Sequence, residues 1–193
     1  MSKTIYKLKV NKLILKKEYV ITDELYNEAY DYANKSKSYT SNRHDFHKGG
    51  LKNKKQKMLE GKLGEKAIKM FFEDNNINYE EDSTNFDEHD YYDFLLKNEE
   101  CSLKIDVKTR TEDFHIRTLE MVEQARNNPK DIFISVRLFR ETNTVILLGW
   151  FTFEDMIQKN QIENLGYLDN YVMYDEDLRS MESFDKVLIN FKK

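Results

Sequence analysis

Asp106 and Lys108 lie in the run Ser102-Leu-Lys-Ile-Asp-Val-Lys108, where Leu103, Ile105 and Val107 alternate with Lys104, Asp106 and Lys108. Such alternation predicts a half-buried strand with one apolar and one polar face. Residues i and i+2 of a strand project the same way, so the acid and the lysine would stand side by side. A second acid, Asp93, lies in the strand-like run 91–96, joined to the first by the polar, hairpin-length loop 97–100. With Leu96 opposite Cys101, Asp93 falls opposite Lys104, one diagonal step from Asp106. A slip of one residue would turn Asp93 to the wrong face.

Two carboxylates held together without a counter-charge force one of them to take up a proton. A divalent cation removes that penalty. Hard oxygen ligands from Asp93 and Asp106, with the Val107 carbonyl, suit Mg²⁺, with Mn²⁺ as a substitute. Lys108 can then orient a water and offset charge in the transition state, which is the chemistry of phosphodiester hydrolysis. The competing reading is a surface ion pair of Asp106 with Lys108 and no function.

The element that would bring a third acid is the helix expected over 58–76, with Leu59, Leu63, Ile68, Met70, Phe71 and Phe72 as its apolar stripe. Gly61 and Gly64 each cost about 1 kcal/mol there relative to Ala, and close packing against a sheet or ligand is the usual reason for such glycines. Glu65 follows and can project from that zone toward the carboxylates; alternatively it pairs with Lys62 or Lys69 at the surface.

The chain has 193 residues, 39% of them hydrophobic and 34% charged, which is one ordinary domain with a heavily charged surface. No apolar run is long enough to span a bilayer, and the lysine-rich start lacks a signal-peptide core, so an intracellular, cytoplasmic protein with no membrane partner is expected. The single cysteine, Cys101, excludes an internal disulfide and is expected to be a buried structural thiol rather than a nucleophile. The net charge of −4 is unevenly spread: residues 1–69 carry 17 Lys+Arg against 8 Asp+Glu, a balance of +9, and the rest 14 against 27, a balance of −13. A basic amino-terminal third is the footprint of a surface that meets phosphate, or simply a solvated lysine-rich face. Few Pro and Ala beside many Lys, Asn, Ile and Tyr hint at an A+T-rich bacterial or phage genome.

Elsewhere, residues 4–20 suggest one or two strands, and Thr22 can cap a helix over 23–33. Residues 38–57 carry Arg43, His44, His47, Lys48, Lys52, Lys54, Lys55 and Lys57 around Gly49-Gly50 and read as a mobile basic loop. His44 and His47 complete no metal pattern, and phosphate contact or exposure suits them better. Residues 77–80 suggest a short strand, 81–90 an acidic loop with His89, and 117–127 a helix stopped before Pro129. Strands buried on both faces are expected at 131–139 and 144–151, a capping box at Thr152 and Asp155, a short strand at 171–174 and a helical turn or two at 175–186.

Gly61-Lys-Leu-Gly-Glu65 on a helix, Tyr92-Asp93, and Ile105-Asp-Val-Lys-Thr109 resemble the core of the PD-(D/E)xK, or restriction-endonuclease-like, nuclease superfamily. Gly149-Trp150 and Leu178-Arg-Ser-Met181 are similar to motifs of its small phage and bacterial endonuclease-like members. The resemblance covers about 58–181, with Tyr92 in place of the namesake proline. It implies a three-layer α/β/α sandwich with a mixed central sheet and an αβββαβ core over 58–193, preceded by a basic extension over 1–57. It also implies metal binding by Asp93 and Asp106, a water-positioning Lys108, a supporting Glu65, and Gln124 where some relatives place a site glutamine. Asn128 stands where exonuclease branches carry a tyrosine. The expected function is thus a Mg²⁺-dependent DNA endonuclease whose basic residues (Arg43, Lys48, Lys52, Lys54, Lys55, Lys57) grip the phosphate backbone. Cutting both strands at one locus would favour a homodimer. The alternatives are a non-catalytic DNA- or protein-binding module, regulatory or anti-defence, on the same fold, and an RNA-directed nuclease.

Overall fold

The computed structural model describes residues 17–36, 50–82, 91–164 and 168–193. The strands expected within 4–16, the loop residues Arg43, His44, His47 and Lys48, and His89 lie outside the described residues, as do the side chains of 50–52. A six-stranded sheet is ordered β1-β7-β6-β4-β3-β2. Its strands are β1 (Glu18–Val20), β2 (Tyr79–Glu81), β3 (Phe94–Lys97), β4 (Ser102–Arg110), β6 (Ile132–Phe139) and β7 (Thr144–Thr152). Only β4 and β6 run parallel; the other neighbours are antiparallel, so the sheet is mixed.

One face carries Ile105, Val107, Ile134 and Val136 and packs on α2 (Gly50–Asp74) and α5 (Met181–Leu188), with α1 (Asp23–Lys35) lying against α2. Phe71 and Phe72 of α2 are fully buried there beside Phe184 of α5; such side chains contribute about 1.5–3 kcal/mol each. The other face presents Phe133 and Phe151, stacked 5.0 Å apart. They are covered by α3 (Val122–Asn127), α4 (Phe153–Lys159) and β9 (Asp169–Tyr174). β9 is the centre of a second, three-stranded sheet with β5 (Arg117–Met121) and β8 (Ile162–Asn164). The architecture is an α/β sandwich whose second outer layer mixes helices with this small sheet. No helix of the described residues is long and apolar enough to cross a membrane.

Local chemistry explains most boundaries. Thr22 accepts from Leu25 N–H and caps α1. Thr152 and Asp155 form the expected reciprocal box at the start of α4. Three expectations are corrected. Residues 50–57 are not loop but the first two turns of α2, since lysine and glutamine are good helix formers even without an apolar stripe. Arg117–Met121 is strand, not helix: it pairs along its whole length with β9, and Thr118 and Glu120 face inward. The carboxyl-terminal helix begins at Met181, after a separate 3₁₀ turn at Asp175–Asp177.

The hairpin register also differs. Lys97 pairs with Ser102 and Leu96 with Leu103, because Asn98 makes a tight turn, its side-chain oxygen accepting from Glu100 and Cys101 N–H. Cys101 therefore sits in the turn and is exposed, not buried. Gly149-Trp150 and Leu178–Met181, the two outlying motifs, meet. Trp150 and Arg179 exchange backbone hydrogen bonds, and the indole N–H reaches Ser180 O and Ser183 Oγ. At Gly149, with φ at +157°, a Cβ would lie 2.6 Å from Arg179 O, so the close approach requires glycine.

Candidate active site

Asp93 stands one residue before β3, where the ladder bends. Its N–H donates to Ile105 O at 2.9 Å, and its Oδ2 accepts from Val107 N–H at 2.6 Å. The carboxylate thus serves β4 as a strand carbonyl would. The paired register ends at Phe94–Ile105, and Asp93, one residue beyond it and bonded to Ile105, lies within electrostatic reach of Asp106 rather than opposite Lys104. Burial, then the charges of Glu65 and Asp106, push the Asp93 carboxyl well above its ordinary value; the Lys62 charge and the Val107 N–H oppose them. No lysine or arginine among the described residues forms an ion pair with it.

Glu65 comes from α2, held against the sheet at Gly64. A Cβ on Gly64 would fall 2.0 Å from Thr109 Oγ1 and 3.0 Å from Val136 Cγ2, so the helix rides on β4 and β6 at backbone distance. A Cβ on Gly61 would meet nothing within 4 Å, although its carbonyl accepts from Thr109 Oγ1 at 3.4 Å, so packing does not require a glycine there. Glu65 pairs with Lys62 at 2.8 Å, as one reading of the sequence allowed.

On β4, Lys108 Nζ lies 2.8 Å from Asp106 Oδ2 and 2.6 Å from Glu120 Oε2. Burial works to lower the Lys108 pKa, but Asp106 and Glu120 outweigh it and raise it above the ordinary lysine value. Glu120 is pushed up by burial, which the Lys108 charge only partly offsets while that of Asp106 adds to it. One ammonium is shared by two carboxylates and does not fully compensate both. Lys130, 2% exposed, lies within electrostatic reach of Asp106 and Glu120; its Nζ donates to Asn128 O, and burial lowers its pKa.

Glu65, Asp93, Asp106 and Lys108 therefore converge. Val107 contributes its N–H to Asp93. Gln124 sits half-buried on α3, and its side chain makes no hydrogen bond among the described residues. Lys54, Lys55 and Lys57 project from the first turns of α2, with Lys55 Nζ 3.9 Å from the Tyr30 ring centre. Glu120 and Lys130 were absent from the expected set. In the Arg117–Met121 strand the buried positions are polar, so the usual apolar signal is inverted.

Among the described residues, no three acid, histidine or cysteine side chains form a finished metal cage. Mg²⁺ does not need one, since it commonly takes one or two carboxylates and fills its shell with water and substrate phosphate. Asp93 and Asp106, within electrostatic reach of each other and with no ion pair to Asp93 among the described residues, fit that donor set.

No family model matches the chain, and no curated protein matches it. Among solved structures it is similar to a bacterial homing endonuclease, I-Ssp6803I, with a TM-score of 0.42 and 15% identity over 69% of this chain and 91% of that one.

Proposed function

We propose that the chain is a divalent-metal-dependent endonuclease that hydrolyses phosphodiester bonds of DNA. The observation that carries the reading is a buried Asp93 within electrostatic reach of Asp106 while Lys108 stands 2.8 Å from the second acid. Asp93 and Asp106 would hold the cation, with Glu65 behind Asp93. A hard divalent ion there supplies Lewis-acid polarisation of a phosphate oxygen and acidifies water. Lys108 donates hydrogen bonds to the attacking water or a non-bridging phosphate oxygen and offsets the charge that develops in the transition state. Lys54, Lys55 and Lys57 share α2 with Glu65. At 1.5 Å per residue, Lys57 lies about 12 Å along the axis from Glu65, within reach of a backbone that also enters the site.

Cleavage of supercoiled plasmid with Mg²⁺, Mn²⁺ or EDTA tests this. Metal-dependent nicking should fall about 10²–10³-fold in Asp106→Ala and in Lys108→Ala. Intact plasmid and intact RNA alongside gel-shift binding would make the fold a binding scaffold. Preferential cutting of a matched RNA duplex would reassign the substrate.

A further inference from the structure

Glu120 is 3% exposed, and neither of its carboxylate oxygens has a hydrogen-bond partner among the described residues, although Oε2 forms an ion pair with Lys108. A buried carboxylate with an idle oxygen is unfavourable for folding by itself, and an ion pair gained at that cost is weak evidence of a stability role. Its partner is the ammonium assigned above to the reacting phosphate. We propose that Glu120 is a positioning residue, which fixes the Lys108 ammonium beside Asp106 in the orientation that faces the scissile phosphate.

The Lys108 ammonium is held by two ion pairs from different elements, Asp106 at 2.8 Å on its own strand and Glu120 at 2.6 Å on β5, and two such contacts fix where the charge sits. With Asp106 alone, the four-carbon stem would leave the group free to rotate about one contact. β5 supplies the second contact from a different element. The strand is fixed along its whole length by its ladder with β9, and on the same side its buried Thr118 hydroxyl meets Ser135 Oγ on β6. Ser135 is the β6 partner of Lys108 in the parallel ladder, so Thr118 and Glu120 approach adjacent points of one sheet face.

This inference rests on the nuclease reading, and its test separates the two. Single-turnover plasmid cleavage, DNA affinity by gel shift in EDTA and thermal melting are compared for wild type, Glu120→Gln and Thr118→Val. Glu120→Gln keeps the shape but not the charge; cleavage should slow about 10–100-fold, the cost typical of losing an outer-shell orienting partner, with unchanged DNA affinity and a cooperative melt. Thr118→Val disturbs the same strand and face without touching Lys108 and should cleave at the wild-type rate. Glu120→Gln cutting within about twofold of wild type would overturn the proposal, as would an equal loss in Thr118→Val or a parallel loss of DNA affinity. Should Glu120→Gln fail to melt cooperatively, Glu120→Asp decides. It retains the charge but draws it back by one methylene, so slowed cleavage with retained affinity supports the role, and a wild-type rate sinks it. A wild type that cuts no DNA would overturn the nuclease reading and this one together. A wild type that cuts no faster than Glu120→Gln would overturn this one alone.

Discussion

Asp93 does two jobs that conflict. Its carboxylate accepts from Val107 N–H and so completes the β3–β4 hairpin, yet burial and the charges of Glu65 and Asp106 resist its ionisation. Its folded pKa therefore lies above the ordinary 3.8, and the folded state holds the proton more tightly than the unfolded chain. In metal-free protein, stability should then fall as pH rises from the unfolded value to the folded one, and stay lower beyond it. Asp93→Asn keeps an oxygen for Val107 N–H and removes the charge. It should melt above wild type at pH 7 in EDTA, the gap closing as pH falls toward 4, while plasmid cleavage is lost. Melting curves across pH check the first half; an Asp93→Asn protein less stable than wild type at neutral pH would refute it. Asp93, Asp106 and Lys108 were legible in the sequence because strand alternation separates a polar from an apolar face. Glu120 was not, because its polar face points inward and only pairing with a distant strand reveals that.

At the scale of elements, α2 and β4 are joined where Gly64 lies against Thr109 and Val136. Gly64→Ala overpacks this contact and should cost about 1–3 kcal/mol, whereas Gly61→Ala fills open space on a helix and should stabilise by about 1 kcal/mol. Urea titrations of the two variants should move in opposite directions; equal shifts would show that neither glycine is set by packing. Gly64→Ala should also lose cleavage, because it displaces Glu65. The sequence marked both glycines alike, since composition cannot tell a contact from a void. It also placed the start of α2 too late, because the turns over 50–57 carry no apolar periodicity. The hairpin itself was legible, but not its register, which the Asn98 side chain sets by placing the turn one residue further along the chain.

At the scale of the whole molecule, the balance of +9 over residues 1–69 against −13 over the remainder gives the chain a polarity that its net charge of −4 conceals. Part of the basic third is now placed, as Lys54, Lys55 and Lys57 on the helix that also carries Glu65. Replacing these three lysines by alanine should weaken DNA binding and flatten the log–log dependence of affinity on salt by about 0.9 for each phosphate contact removed. An unchanged slope would place the DNA elsewhere. The layered α/β class was legible from the alternation of strand and helix signals. The second sheet was not, since β5, β8 and β9 are short and gain their meaning only by pairing with one another.

The strand order β1-β7-β6-β4-β3-β2 bears on timing as well as shape. When residues up to Arg110 have left the ribosome, Asp93, Asp106 and Lys108 all exist, yet β4 is still an edge. Glu120 arrives next, and its strand has no partner until β9, past residue 169, is made. Glu120 thus reaches its final place only after β9 has been made. A growing chain that stops short of β9 carries Asp93, Asp106 and Lys108 without the second contact to the Lys108 ammonium.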